Sequence, residues 1–184
     1  MKKYYIIYLF FILSNLFAQN KKYDTIIFRN IKIDKHELYF KYENFENLER
    51  LYGKLKKNSK PEKIPLNIGL KVTNSFSNDG VSLLIDKNKV FIDYLNFELS
   101  KKVVIINYKK RNIILSNDFR LSQFKKVFKK SYKNVSGLPV IPFERAAFIS
   151  ALIINKKKIA YVSFTFYDGK LISFFISDDK PENF

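Results

Sequence analysis

NFENLERLYGK, residues 44–54, and RLSQFKKVFKK, residues 120–130, carry their apolar side chains at one spacing. In the first stretch Phe45, Leu48, Leu51 and Tyr52 fall on a single helical stripe. Leu121, Phe124, Val127 and Phe128 repeat it in the second. A stripe of this kind buries as a unit, so each stretch predicts a helix with one face on a core and its charges in water. Asn44 has the short polar side chain that accepts from the first free amides of a helix, and Gly53 supplies the backbone freedom that ends one. Asn117 or Asp118 is the expected cap of the second helix.

The flanks of both helices read as strands. TIIFRNIKI (25–33) has strand-like apolar density, and HELYFKY (36–42) is its expected hairpin partner across an Asp34-Lys35 turn. Residues 54–65 are polar, contain Pro61 and Pro65, and read as a linker or surface loop. IGLKV (68–72) follows as a short strand. SNDG (77–80) is a turn, VSLLI (81–85) a strand, and VFIDYLNFEL (90–99) its return. VVIINY (103–108) and NIIL (112–115) pair around the basic turn KKR, directly before the second helix. The chain closes with FISALII (148–154), IAYVSFTFY (159–167) and LISFFIS (171–177), and Asp168-Gly169 is a type I′ hairpin pair.

Each helix therefore follows two strands and precedes a hairpin. The expected class is α+β: a duplicated ββα-plus-β-hairpin unit, with antiparallel sheet packed on two helices. The expected boundaries are a signal peptide at 1–18, a first half at 19–99, a second half at 100–177 and a flexible tail at 178–184.

The opening MKKYYIIYLFFILSNLFAQN places Lys2 and Lys3 before an uncharged apolar run, with Ala18 as a small residue for cleavage. This is the anatomy of a secretory signal, cut after Ala18, and it predicts a periplasmic or secreted protein. The apolar run is shorter than the ~20 residues of a spanning helix. No later run approaches that length, so no transmembrane segment is expected in the mature chain. The chain has no cysteine, which excludes disulfides, thiolate metal sites and a cysteine-linked lipid.

The formal charge is +17, of which Lys2 and Lys3 carry two. Such a balance points to an acidic partner, nucleic acid or anionic lipid. The same composition is rich in Lys, Asn, Ile, Phe and Tyr, and holds only five Gly and five Pro. That skew follows from an AT-rich coding sequence, so much of the lysine reads as solvated surface.

Four segments together resemble uncharacterised small bacterial exported proteins with duplicated strand-strand-helix halves: LERLYGK (48–54), IGL (68–70), FELSKKVVIINYKKRNIIL (97–115) and FKKVF (124–128). The glycine those relatives often carry is absent after Phe97. Some of them are similar to toxin-neutralising immunity proteins, and the resemblance implies a binding role without catalytic residues.

The inventory for chemistry is thin. The single histidine, His36, lacks the second histidine of a zinc-protease helix and reads as a turn residue. Glu43, Glu46, Glu49 and Glu144 are the carboxylates available to an acid–base pair. No phosphate-binding glycine motif, calcium loop or nucleophile elbow occurs, and neither cofactor nor metal is expected. FKKVFKKSYK (124–133) interleaves lysine with aromatic rings as nucleic-acid binders do, but Phe124, Val127 and Phe128 belong to the buried stripe. Nucleic acid is disfavoured accordingly.

Two groups remain as binding candidates. Lys125, Lys126, Lys129 and Lys130 form the basic face of the second helix. Glu144 and Arg145 stand in SGLPVIPFERAAFISA (136–151), which concentrates the chain's scarce Gly, Pro, Arg and Ala. The expected function is an exported, non-catalytic envelope protein that binds another macromolecule, in concrete form an immunity or inhibitor protein with an acidic protein partner. The alternative is a carboxylate-based hydrolase of envelope glycans.

Overall fold

The computed structural model describes residues 22–58, 70–136, 146–155 and 158–178. The strands of the first part of the chain are β1 (Thr25–Ile27), β2 (Ile31–Ile33), β3 (His36–Glu37), β4 (Tyr39–Lys41), β5 (Lys56–Asn58), β6 (Asn74–Asn78), β7 (Val81–Asp86) and β8 (Lys89–Asn96). Then come β9 (Val104–Tyr108), β10 (Arg111–Leu115), β11 (Ala146–Asn155), β12 (Lys158–Tyr167) and β13 (Lys170–Ser177). The helices are α1 (Phe45–Tyr52), α2 (Phe97–Ser100), α3 (Leu121–Val127) and α4 (Lys129–Tyr132). The molecule is α+β with strands dominant.

A nine-stranded sheet runs β1-β11-β12-β13-β8-β7-β6-β5, and β4 joins the part of β8 that β13 leaves free. A four-stranded sheet runs β10-β9-β2-β3. The expected antiparallel arrangement holds for most pairs, but β1 runs parallel to β11. Elements of the two expected halves interleave: β1 pairs with β11, β2 with β9 and β8 with β13. The topology does not show a duplication.

The N-terminal segment ties the two sheets together. TIIFRNIKI was expected to be one strand; it is β1, a single 3-10 turn at Phe28–Asn30, and β2. The turn lets Ile26 bury in the large sheet and Ile31 and Ile33 bury in the small one. The same crossing recurs after the Asp34-Lys35 turn. His36 and Glu37 pair with β2, and the fully buried Leu38 carries the chain over to β4, its carbonyl accepting from the Ile92 amide at 3.1 Å. His36 is thus a strand residue rather than a turn residue, and its ring stacks on Phe40 at 4.9 Å.

Other boundaries moved for identifiable reasons. IGLKV was expected to be a strand, yet residues 70–72 are not in one and β6 starts at Asn74. The expected loop at 54–65 contains β5, which pairs with β6; residues 59–65 lie outside the described residues. The return strand stops at Asn96 because its side chain accepts from the Glu98 and Leu99 amides and starts α2. Asp168 and Gly169 form the expected tight turn, with φ of 46° and 71°.

The core is largely aromatic. Phe124 of α3 lies 5.1 Å from Phe164 and 5.5 Å from Phe166 of β12, and Phe128 lies 4.8 Å from Phe124. Phe124, Phe128, Phe164 and Phe166 are completely buried. Burying each such ring stabilises the fold by about 2–3 kcal/mol relative to exposure. The first helix is held more loosely: Leu48 is its one fully buried residue, while Phe45 leans on Phe76 from a partly exposed position.

Candidate functional site: a basic groove on a broken helix

RLSQFKKVFKK was expected to be one helix. It is two, because Phe128 leaves the helical region at φ −106° and ψ 64°. The cause is Asp24, more than a hundred residues earlier. Its Oδ2 accepts from the backbone amides of Lys130 (2.8 Å) and Ser131 (3.0 Å), and its own amide donates to Ser131 Oγ (3.0 Å). A carboxylate that takes the first amides of a helix turn satisfies donors that a continuous helix would have pointed at its own carbonyls. The Tyr108 hydroxyl donates to the other oxygen of Asp24 at 2.6 Å. Burial, then the bond to Asp24, raises the Tyr108 hydroxyl far above its ordinary pKa. Asp24 thereby ties the start of β1, the end of β9 and the start of α4 into one latch.

The first helix turn of α3 also departs from expectation. Neither Asn117 nor Asp118 caps it: the helix begins after Arg120, whose amide donates to Gln123 Oε1 at 2.7 Å. Asn44 does cap α1, accepting from the Asn47 amide at 2.9 Å, and Gly53 ends it at φ 84°.

With Phe124 and Phe128 turned inward, the opposite face of α3–α4 becomes a shallow groove of about 550 Å³ lined by Ser122, Lys125, Lys126, Lys129, Tyr132 and Lys133. Lys125 Nζ sits 5.2 Å from the Tyr132 ring centre, so the ring forms a wall against which the lysine is held. No acidic side chain is among the described residues of that lining.

The structure therefore brings Lys125, Lys126 and Lys129 together and separates Lys130 from them. Lys130 instead lines a cavity of about 300 Å³ with Asp24, Tyr108 and Lys109. Glu144 and Arg145 lie outside the described residues. Sequence reading missed Asp24, Ser122, Tyr132 and Lys133 as site residues. Lys133 and Tyr132 stand in FKKVFKKSYK, whereas nothing local in the sequence marks Asp24 as the anchor of Lys130 and Ser131.

Two of the four carboxylates expected for acid–base work are engaged in local hydrogen bonds. Glu43 accepts from the Asn47 side chain and Glu49 from the Leu55 amide, and Glu46 is exposed on α1. Asp93 is the unforeseen one. It occupies the irregular step of β8 opposite Ser82 and Leu83, is 5 % exposed, and its Oδ1 has no hydrogen-bond partner among the described residues. Burial pushes its pKa up to about 6, against the pull of hydrogen bonds from Ser82 and from backbone amides. No second carboxylate among the described residues contributes to that shift. Among the described residues no group of three metal-ligating side chains occurs, and no helix is long and apolar enough to cross a membrane.

No protein-family model, curated protein or solved structure matches this chain.

Proposed function

We propose that this chain is an exported, non-catalytic envelope protein that binds another macromolecule through the α3–α4 groove. In its most concrete form it is an immunity or inhibitor protein whose basic face meets an acidic partner. The observation that carries this reading is the division of one short segment into two faces. Phe124 and Phe128 supply the core, while the exposed Lys125, Lys126, Lys129 and Lys133 line one shallow groove without an acidic side chain among its described lining residues. Positive charges gathered on one face repel one another, and an anionic partner relieves that repulsion and is steered towards it. Binding is favoured over glycan hydrolysis because Asp93 owes its raised pKa to burial, with no paired acid among the described residues.

The test is affinity capture of the tagged protein from the envelope fraction, run beside a variant carrying Lys125→Ala, Lys126→Ala, Lys129→Ala and Lys133→Ala. A specific partner retained by the parent at low salt and lost from the variant is expected. Equal retention by both proteins rejects the groove as the binding surface.

A further inference from the structure

The groove's donors have a chemistry that narrows what enters it. Resting on the reading of α3–α4 as the binding surface, we propose that its occupant is an extended, carboxylate-rich peptide segment of the partner.

Three observations separate this ligand from a phosphate group. The cations of the groove are all lysines, with no arginine among the described lining residues. An ammonium is a hydrated point charge, whereas tight phosphate sites rely on the planar fork of arginine or on converging backbone amides. Most of those amides are already taken: Lys130 and Ser131 donate to Asp24, Leu121 to the Gly169 carbonyl and Gln123 to the Arg120 carbonyl. Both helix starts are therefore poor cradles for a phosphate.

The charges are also strung out rather than focused. Ser122, Lys125 and Lys126, Lys129, and Lys133 recur every three or four residues across both helices. At about 1.5 Å per residue the row covers on the order of 16 Å, less the shortening at the break. An extended chain of about five residues, at about 3.3 Å each, spans that length and presents a carboxylate to the row at every second position. A single lipid headgroup reaches only part of the row.

The test is fluorescence anisotropy of a labelled hexaglutamate peptide titrated with the purified protein, beside a hexaglutamine peptide of equal length. Inositol hexakisphosphate and phosphatidylglycerol vesicles serve as competitors. Lys125→Glu with Lys129→Glu alters the groove. Lys56→Glu with Lys57→Glu makes the same change of net charge on the exposed strand β5. Circular dichroism checks that both variants are folded. The glutamate peptide is expected to bind and the glutamine peptide not to. Binding is expected to weaken at least about tenfold in the groove variant and less than about twofold in the β5 variant.

Equal weakening in both variants means that net charge alone drives binding, and overturns both this proposal and the groove reading. Tighter binding of inositol hexakisphosphate or vesicles, lost in the groove variant, overturns the peptide segment while leaving the groove as the binding surface. Absence of glutamate-peptide binding to the folded parent protein overturns the segment proposal outright.

Discussion

At the scale of single residues, two buried aspartates do opposite things. Asp24 has its charge spent on three donors from distant parts of the chain. Asp24→Ala strands the Lys130 and Ser131 amides and the Tyr108 hydroxyl, and is expected to destabilise the protein by roughly 2–4 kcal/mol. Tyr108→Phe removes one of those bonds and is expected to cost about 1 kcal/mol. Urea denaturation of the two variants measures both. Asp93 is buried with one oxygen lacking a partner among the described residues, its hydrogen bonds from Ser82 and backbone amides do not offset that burial, and its carboxyl holds its proton up to about pH 6. The folded state therefore binds more protons than the unfolded chain between about pH 4 and pH 6. Asp93's contribution is most favourable below that window, is lost as pH rises through 6, and is level above it. The loss amounts to about 3 kcal/mol. Asp93→Asn is expected to raise the urea midpoint at neutral pH, with the difference from the parent shrinking as pH falls to about 4. A difference independent of pH contradicts this.

At the scale of elements, local pattern and distant contact divide the outcome. The apolar spacing that announced both helices is the spacing that buries Leu48, Phe124 and Phe128. The break at Phe128 was not legible, because Asp24 causes it from a different part of the chain. The expected basic face is divided by that break: Lys125, Lys126 and Lys129 line the groove, and Lys130 lines the cavity beside Asp24. The β9–β10 hairpin shows a second kind of departure. Its turn places Lys109 at φ 50° and Lys110 at φ 65°, a conformation that Asn-Gly adopts with less strain. In a chain with only five glycines, lysine stands where glycine is usual. Replacing the pair by Asn-Gly is expected to stabilise the protein by about 1 kcal/mol, read as a rise in thermal midpoint. A fall in midpoint means that the lysine side chains contribute packing that outweighs the backbone strain.

At the scale of the whole molecule, periodicity was enough for the α+β class and for most of the later strands, since each carries its own alternation or apolar run. Pairing was not legible. The parallel contact of β1 with β11 and the passage of the chain between sheets at Phe28–Asn30 and at Leu38 depend on partners remote in sequence. Strands of the first half complete sheets begun by the second, so the two halves are expected to unfold together. Far-ultraviolet circular dichroism and tyrosine fluorescence should give one coincident urea transition; two separated transitions contradict the interleaved core. The latch at Asp24 connects this architecture to the proposed function, because the segment that ties the sheets together also fixes α4 and so shapes the groove. Under that proposal partners meet the protein at the groove. The most direct measurement is photo-crosslinking in cells from a benzoylphenylalanine placed at Ser122 in the groove, compared with one at the exposed Leu99 of α2. A discrete adduct from position 122, absent from position 99 and abolished by Lys125→Glu with Lys129→Glu, is the expected result. An adduct from position 99 with none from position 122 contradicts it.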